Sequence, residues 1–155
     1  MMRRKDKQIT DAAGLDAVFQ AGSVCHLALE DGPAPYVVPL SYGYEDGVLY
    51  FHGAAEGKKL DLARKNPAAG FCISRELALV KGESACNWGV QFESVIGTGS
   101  LEILESAEEK RHALDVLMNH YGWQGPGEYS DKSLMATSVM ALRIREVSGK
   151  GSPRH

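Results

Sequence analysis

Val48-Leu49-Tyr50-Phe51-His52-Gly53-Ala54-Ala55-Glu56-Gly57-Lys58-Lys59 is a strand that runs into a glycine-flanked, basic helix start. Val48 to Phe51 are residues that suit a pleated, half-buried surface. Gly53 and Gly57 loosen the backbone, and the helical composition that begins at Lys58 stops at Asn66-Pro67. A helix start presents unpaired N–H groups and the positive end of the helix dipole. Two lysines in that first turn oppose the dipole, and an anion docked between them explains their presence. A cofactor phosphate fits. Neighbouring side chains on a helix point about 100° apart, so one lysine, Lys59, is the expected direct contact. By itself the pair would read as a solvated face; after His52 to Gly57 it reads as an anion site.

Outward from this stretch, short strands and turns alternate. Thr10 or Asp11 caps a first helix carrying Ala12, Leu15, Val18 and Phe19 on one face, with Gly22 as its stop. Val24 to Glu30 reads as a strand, Asp31-Gly32 as a turn, and Tyr36 to Tyr44 as a second strand. Pro39 marks an edge, a bulge or a break in pairing. Asp46-Gly47 turns the chain into the strand Val48 to His52. Further strands are expected at Gly70 to Ser74, Leu77 to Val80 and Gln91 to Leu104, with bulges at Gly97 or Gly99. Ser106-Ala107-Glu108-Glu109 is a capping box, and Ala113, Leu114, Leu117, Met118 and Tyr121 form the stripe of the helix it opens. After a glycine-rich loop, Gly122 to Ser130, comes a last strand, Val139 to Val147. The expectation is one domain over residues 1–155, with an ordered core at about 8–148 and a polar tail at 149–155. The fold class is mainly β with flanking helices (α+β), an antiparallel barrel.

Composition closes off several classes. A net charge of -3, from 17 basic and 20 acidic residues, gives no general attraction to nucleic acid or membrane. Basic charge gathers instead at Arg3-Arg4-Lys5, Lys58-Lys59 and Arg64-Lys65. The cysteines Cys25, Cys72 and Cys86 form no CxxC pair, which fits a reduced, cytoplasmic protein. No apolar run follows the first basic cluster, so a leader is not expected. His26, His112 and His120 show no metal-binding spacing, and no metal is expected. Neither a dinucleotide-binding glycine motif nor a P-loop is present, and Cys86 has no neighbouring base to activate it.

The order of pieces resembles the FMN-binding split-barrel family, which includes pyridoxamine phosphate oxidase, and within it the small nitroimidazole-reductase-like proteins. The residues that carry the resemblance are Tyr36-Val37-Val38-Pro39-Leu40-Ser41-Tyr42, Leu49-Tyr50-Phe51-His52-Gly53-Ala54 with Gly57 and Lys59, Asn66-Pro67, Trp88, and Ser94-Val95-Ile96-Gly97. It implies a six-stranded, Greek-key split barrel and a homodimer with FMN at the subunit interface. It implies that Val38, Pro39, Leu40 and Ser41 lie along the flavin ring. It places Tyr50, His52, Gly53 and Ala54 by the ribityl chain and phosphate, has Lys59 grip the phosphate with Lys58 beside it, and brings Trp88, Ser94 and Val95 to the cofactor. His52 is the implied catalytic group, as hydrogen-bond donor or proton relay; read alone it is a strand-end histidine. The implied activity is FMN-dependent reduction of a small electrophilic or nitroaromatic acceptor by NAD(P)H. The alternative is a flavin- or haem-binding module without turnover. The chain ends in Gly151-Ser152-Pro153-Arg154-His155, without the arginine- and tryptophan-bearing segment of the vitamin-forming oxidases. Pyridoxamine oxidation is therefore not expected.

Overall fold

Alternating apolar side chains give each strand one inner and one outer row. The computed structural model describes residues 5–152, so Arg3-Arg4 of the first basic cluster and Pro153-Arg154-His155 of the tail lie outside the described residues. The elements are β1 (Gln8–Ile9), α1 (Ala12–Ala21), β2 (Cys25–Leu29), β3 (Tyr36–Leu40), β4 (Gly43–Glu45), β5 (Val48–Ala54), α2 (Lys58–Lys65), β6 (Ala68–Val80), β7 (Gly89–Ile103), α3 (Ala107–His120), α4 (Asp131–Ala136) and β8 (Thr137–Gly151). The strands form one antiparallel sheet in the order β3-β2-β6-β7-β8-β5-β4, with β1 added to β8.

Residues from both ends of that order share a single core. Leu27 and Leu29 of β2 lie in the same buried cluster as Leu49 and Phe51 of β5, Ile73 of β6, Val95 and Leu101 of β7, and Met140 and Leu142 of β8. A sheet whose two ends face one core has rolled up, and β3 and β4 remain as the two end strands. This is a split barrel. The outer face of β5 and β8 is covered by α3, where Leu104, Ala113, Val139 and Ala141 are buried with Val48, Tyr50 and Leu114 beside them.

The signals at element ends hold. Asp11 caps α1 through a 2.7 Å bond from the Gly14 amide. Both halves of the capping box at Ser106 and Glu109 are formed. Pro39 lies in an end strand, and the pairing shifts by a residue at Thr98/Gly99.

Several expectations need correction. The described residues form eight strands rather than six. Tyr36 to Tyr44 is split in two because Tyr42 turns inward, where it is fully buried and its hydroxyl donates to the Phe19 carbonyl at 2.6 Å. Leu77 to Val80 is not a separate strand but the end of β6, which pairs with β7 as a long hairpin arm. Beyond Glu93, whose partner across the sheet is Gly151, that arm pairs with no third strand among the described residues, and Leu77, Leu79, Val80, Trp88 and Val90 are exposed. The last strand runs past Val147 to Gly151, since Gln8 and Ile9 pair with Lys150 and Gly149; the expected tail at 149–155 thus begins inside a strand. A short helix, α4, follows the Gly122 to Ser130 loop, capped by the Ser130 hydroxyl.

Candidate functional site

The start of α2 sits between the beginning of β3 and the end of β5. Gly57, at φ 137°, takes a backbone conformation that a side chain would strain, and it leaves the helix start without a side-chain cap. Leu60 and Asp61 donate to the Gly57 carbonyl, which leaves the Lys58 and Lys59 amides as the ones with no partner within the helix. Leu60, Leu62 and Ala63 bury the other face of the helix in the barrel core and hold its start in place.

The two lysines diverge. Lys58 Nζ pairs with Asp31 at 2.5 Å and lies over the Tyr36 ring at 5.2 Å, tying α2 to the β2–β3 turn. Lys59 folds the other way, across Gly53: a Cβ built on Gly53 would stand 2.7 Å from Lys59 Nζ. Among the described residues Lys59 has no ion-pair partner. Gly53 belongs to the inner row of β5, after Leu49 and Phe51, and faces Ser138 across the sheet. Ser138 is 6% exposed, and its hydroxyl is buried with no hydrogen-bond partner.

The remaining expected residues fall into groups. Val38 and Leu40 turn half-buried into the core, while Pro39 and Ser41 are exposed. β3 pairs only with β2, so the backbone of Val38 to Leu40 keeps one unpaired edge among the described residues. His52 is exposed and belongs to the outer row of β5, on the opposite face from Lys59. Ala54 is exposed at the strand end. Tyr50 does not reach toward α2. It packs under α3, with its ring edge-on to His112 at 5.9 Å, and burial raises its phenol above the ordinary value.

Trp88, Ser94 and Val95 are not brought to this place within one chain. Ser94 pairs with Lys150 and Ile103 with Met140, so some nine residues of β7, about 30 Å of strand, separate Ser94 from the end of β8 that carries Ser138. Val95 is fully buried in the core and has only its backbone to offer. Trp88 is 51% exposed on the arm, donating from Nε1 to the Gly82 carbonyl at 2.9 Å. Sequence reasoning missed Ser138. The available signal was a hydroxyl on the inner period of the otherwise apolar run Val139-Met140-Ala141-Leu142.

The arrangement suits binding an anion at Lys59. Burial pushes the Cys25 thiol up to about 12 and also raises Cys72, which makes both poor thiolates. Among the described residues no three His, Cys, Asp or Glu side chains gather as a metal would require, and no helix is long and apolar enough to cross a membrane.

Comparison with known proteins gives a consistent result. A sequence model of the family described as pyridoxamine 5'-phosphate oxidase matches residues 11–151. A proposed 5-nitroimidazole antibiotic resistance protein of Bacteroides thetaiotaomicron is 31% identical, with a TM-score of 0.79 over 93% of this chain and 86% of that one. A FAD-binding protein of Mesorhizobium loti is 28% identical, with a TM-score of 0.68 over 93% of this chain and 96% of that one. The FAD- and haem-binding protein of Mycobacterium smegmatis shares the fold at 23% identity, with a TM-score of 0.82 over 96% of this chain and 74% of that one.

Proposed function

This chain belongs to the pyridoxamine 5'-phosphate oxidase family, and on that premise we propose that it is an FMN-dependent oxidoreductase that reduces a small electrophilic acceptor with NAD(P)H. The observation that carries the reading is the contact of Lys59 with Gly53. An ammonium with no ion-pair partner among the described residues lies across a strand glycine, beside a helix start that no side chain caps. Such a place suits a phosphate monoester: a positive charge and amide donors occur together. The similarity to a proposed 5-nitroimidazole resistance protein supports a nitroaromatic acceptor. The FAD-binding relative supports a flavin, and the lack of any adenylate motif in this chain favours FMN over FAD.

In this reading Lys59 and the first amides of α2 hold the phosphate, and the free edge of β3 at Val38 to Leu40 orients the ring. When bound, the flavin supplies hydride acceptance and delivery. The chain supplies position and charge. Lys59 fixes one end of the cofactor, Lys58 braces the β2–β3 turn, and the exposed His52 imidazole holds or gives up a proton on the acceptor side. The cofactor lies between two subunits of a homodimer. Support comes from the distribution of residues: Lys59 and Gly53 lie at one end of the sheet, Trp88 and Ser94 at the other, and a second copy can bring the two groups together.

Release and chromatography of the bound pigment test the cofactor, with FMN expected; FAD or a porphyrin in its place would sink the reading. Stopped-flow mixing of the flavin-loaded protein with NADH and NADPH tests turnover, and bleaching of the flavin absorbance is the expected result.

A further inference from the structure

A buried polar atom that makes no hydrogen bond loses its water without compensation, and native proteins keep few of them. Ser138 is such a residue. Its hydroxyl is fully buried and unpartnered, in the inner row of β8 next to Met140 and Leu142. Nothing in the barrel requires a hydroxyl there, since an alanine would fill nearly the same space. The surroundings give a reason for it. Ser138 pairs across the sheet with Gly53, and its Oγ lies 3.6 Å from the point where a Cβ of Gly53 would stand. Lys59 Nζ is 2.7 Å from that same point. A positive charge and an idle hydroxyl therefore converge on one glycine, beside a helix start that has no side-chain cap.

We propose that Ser138 is a ligand of the phosphate group held at Lys59. Its Oγ–H donates to a phosphate oxygen, while the Lys59 ammonium and the first amides of α2 take the others. The group is a phosphate monoester or inorganic phosphate, and the inference rests on the reading that a phosphate binds at Lys59. Gly53 has a defined part in it, because a side chain there would push Lys59 away from the shared space. The hydroxyl is a liability in the empty protein and finds its partner in the complex, an exchange of stability for binding.

The test measures FMN and riboflavin binding by flavin fluorescence quenching, with the thermal midpoint of the flavin-free protein, in the parent and in Ser138→Ala. FMN affinity should fall about ten- to a hundred-fold, the effect of a hydrogen bond to a charged group. Riboflavin affinity should not change, and the thermal midpoint should stay or rise. Ser138→Cys keeps the volume with a weak donor and should show the same FMN-selective loss. Inorganic phosphate identifies the source of the group. If it alone raises the parent's midpoint and Ser138→Ala loses that shift, the subsite accepts free phosphate; if only FMN does so, the subsite serves the cofactor. Either result supports the assignment. FMN binding at parental strength in both variants overturns it, as does an equal loss of FMN and riboflavin. A parent that binds riboflavin as tightly as FMN instead removes the phosphate reading at Lys59, and this inference with it.

Discussion

Lys58 and Lys59 are adjacent in sequence and serve opposite sides of the same helix start. One is committed to Asp31 and the Tyr36 ring, and the other lies across Gly53 with no ion-pair partner among the described residues. Lys59→Ala should therefore weaken FMN binding by about 1.5–3 kcal/mol, as loss of a charge-assisted hydrogen bond does. Lys58→Ala removes a half-exposed ion pair worth at most about 1 kcal/mol of stability, with a smaller effect on flavin. Titrations that give equal, negligible losses for both would return the pair to a solvated helix face.

Gly53→Ala is the steric counterpart. The added methyl meets the far end of a flexible lysine, so the barrel should fold with little change in thermal midpoint while Lys59 is displaced. FMN affinity should fall by about ten-fold or more, within the loss expected for Lys59→Ala. A variant with parental FMN affinity would show that the position of Lys59 against Gly53 is incidental.

His52 lies on the other face of β5 from Lys59, so its removal should spare the phosphate end of the cofactor. His52→Ala and His52→Gln are expected to keep their flavin. Single-turnover reoxidation by a nitroaromatic should slow by about ten- to a hundred-fold, or roughly 1.4–2.7 kcal/mol of barrier. Parental reoxidation rates in both variants would make it a strand-end histidine.

Dimerisation and flavin binding should be linked, because a ligand that touches both chains favours the assembled state. Light scattering should give a mass near twice 16.8 kDa. A charge placed on the arm, Leu79→Glu, should weaken association and flavin binding together while the barrel's thermal midpoint holds. A monomer that binds FMN at full strength would contradict the interface site.

Alkaline stability follows from two weak acids, the buried Cys25 and the half-buried Tyr44. Burial pushes the Cys25 thiol from 9.0 to about 12 and Tyr44 from 10.0 to about 12, so the fold keeps both protonated. The unfolded chain ionises first. Stability from these groups is therefore complete below the unfolded value, begins to fall near pH 9 and is lost as pH rises through about 12. Urea midpoints should decline over that interval, and Cys25→Ala should make the decline shallower.

The parts of the fold legible in sequence are those with local punctuation. α2 begins after Gly57 and stops at Asn66-Pro67 as read, and Ser106 opens α3 with both halves of its capping box formed. What was hidden depends on distant partners. Tyr42 breaks a strand in two because the carbonyl it reaches, on Phe19, is in another element. Leu77 to Val80 looked like a separate strand because four apolar residues in a row read as a buried one, yet they are exposed at the end of β6. α4, with six residues, is too short to show a helical period. Around the site, the strand end at His52 to Ala54 and the helix start at Lys58 were readable from their residues. That Tyr50 turns under α3, that His52 and Lys59 face apart, and that Ser138 closes on Gly53 all follow from strand pairing across the barrel.

One consequence concerns synthesis. β8 is the last strand of the barrel to emerge from the ribosome, and it is the common neighbour of β7, β5 and β1, setting Gln8 against Lys150. Until it arrives, the nascent chain carries open edges on β5 and β7 and a core that lacks Met140 and Leu142. At about 5–20 residues per second that interval is brief. A pause late in translation would lengthen it, exposing two bare strand edges to neighbouring nascent chains.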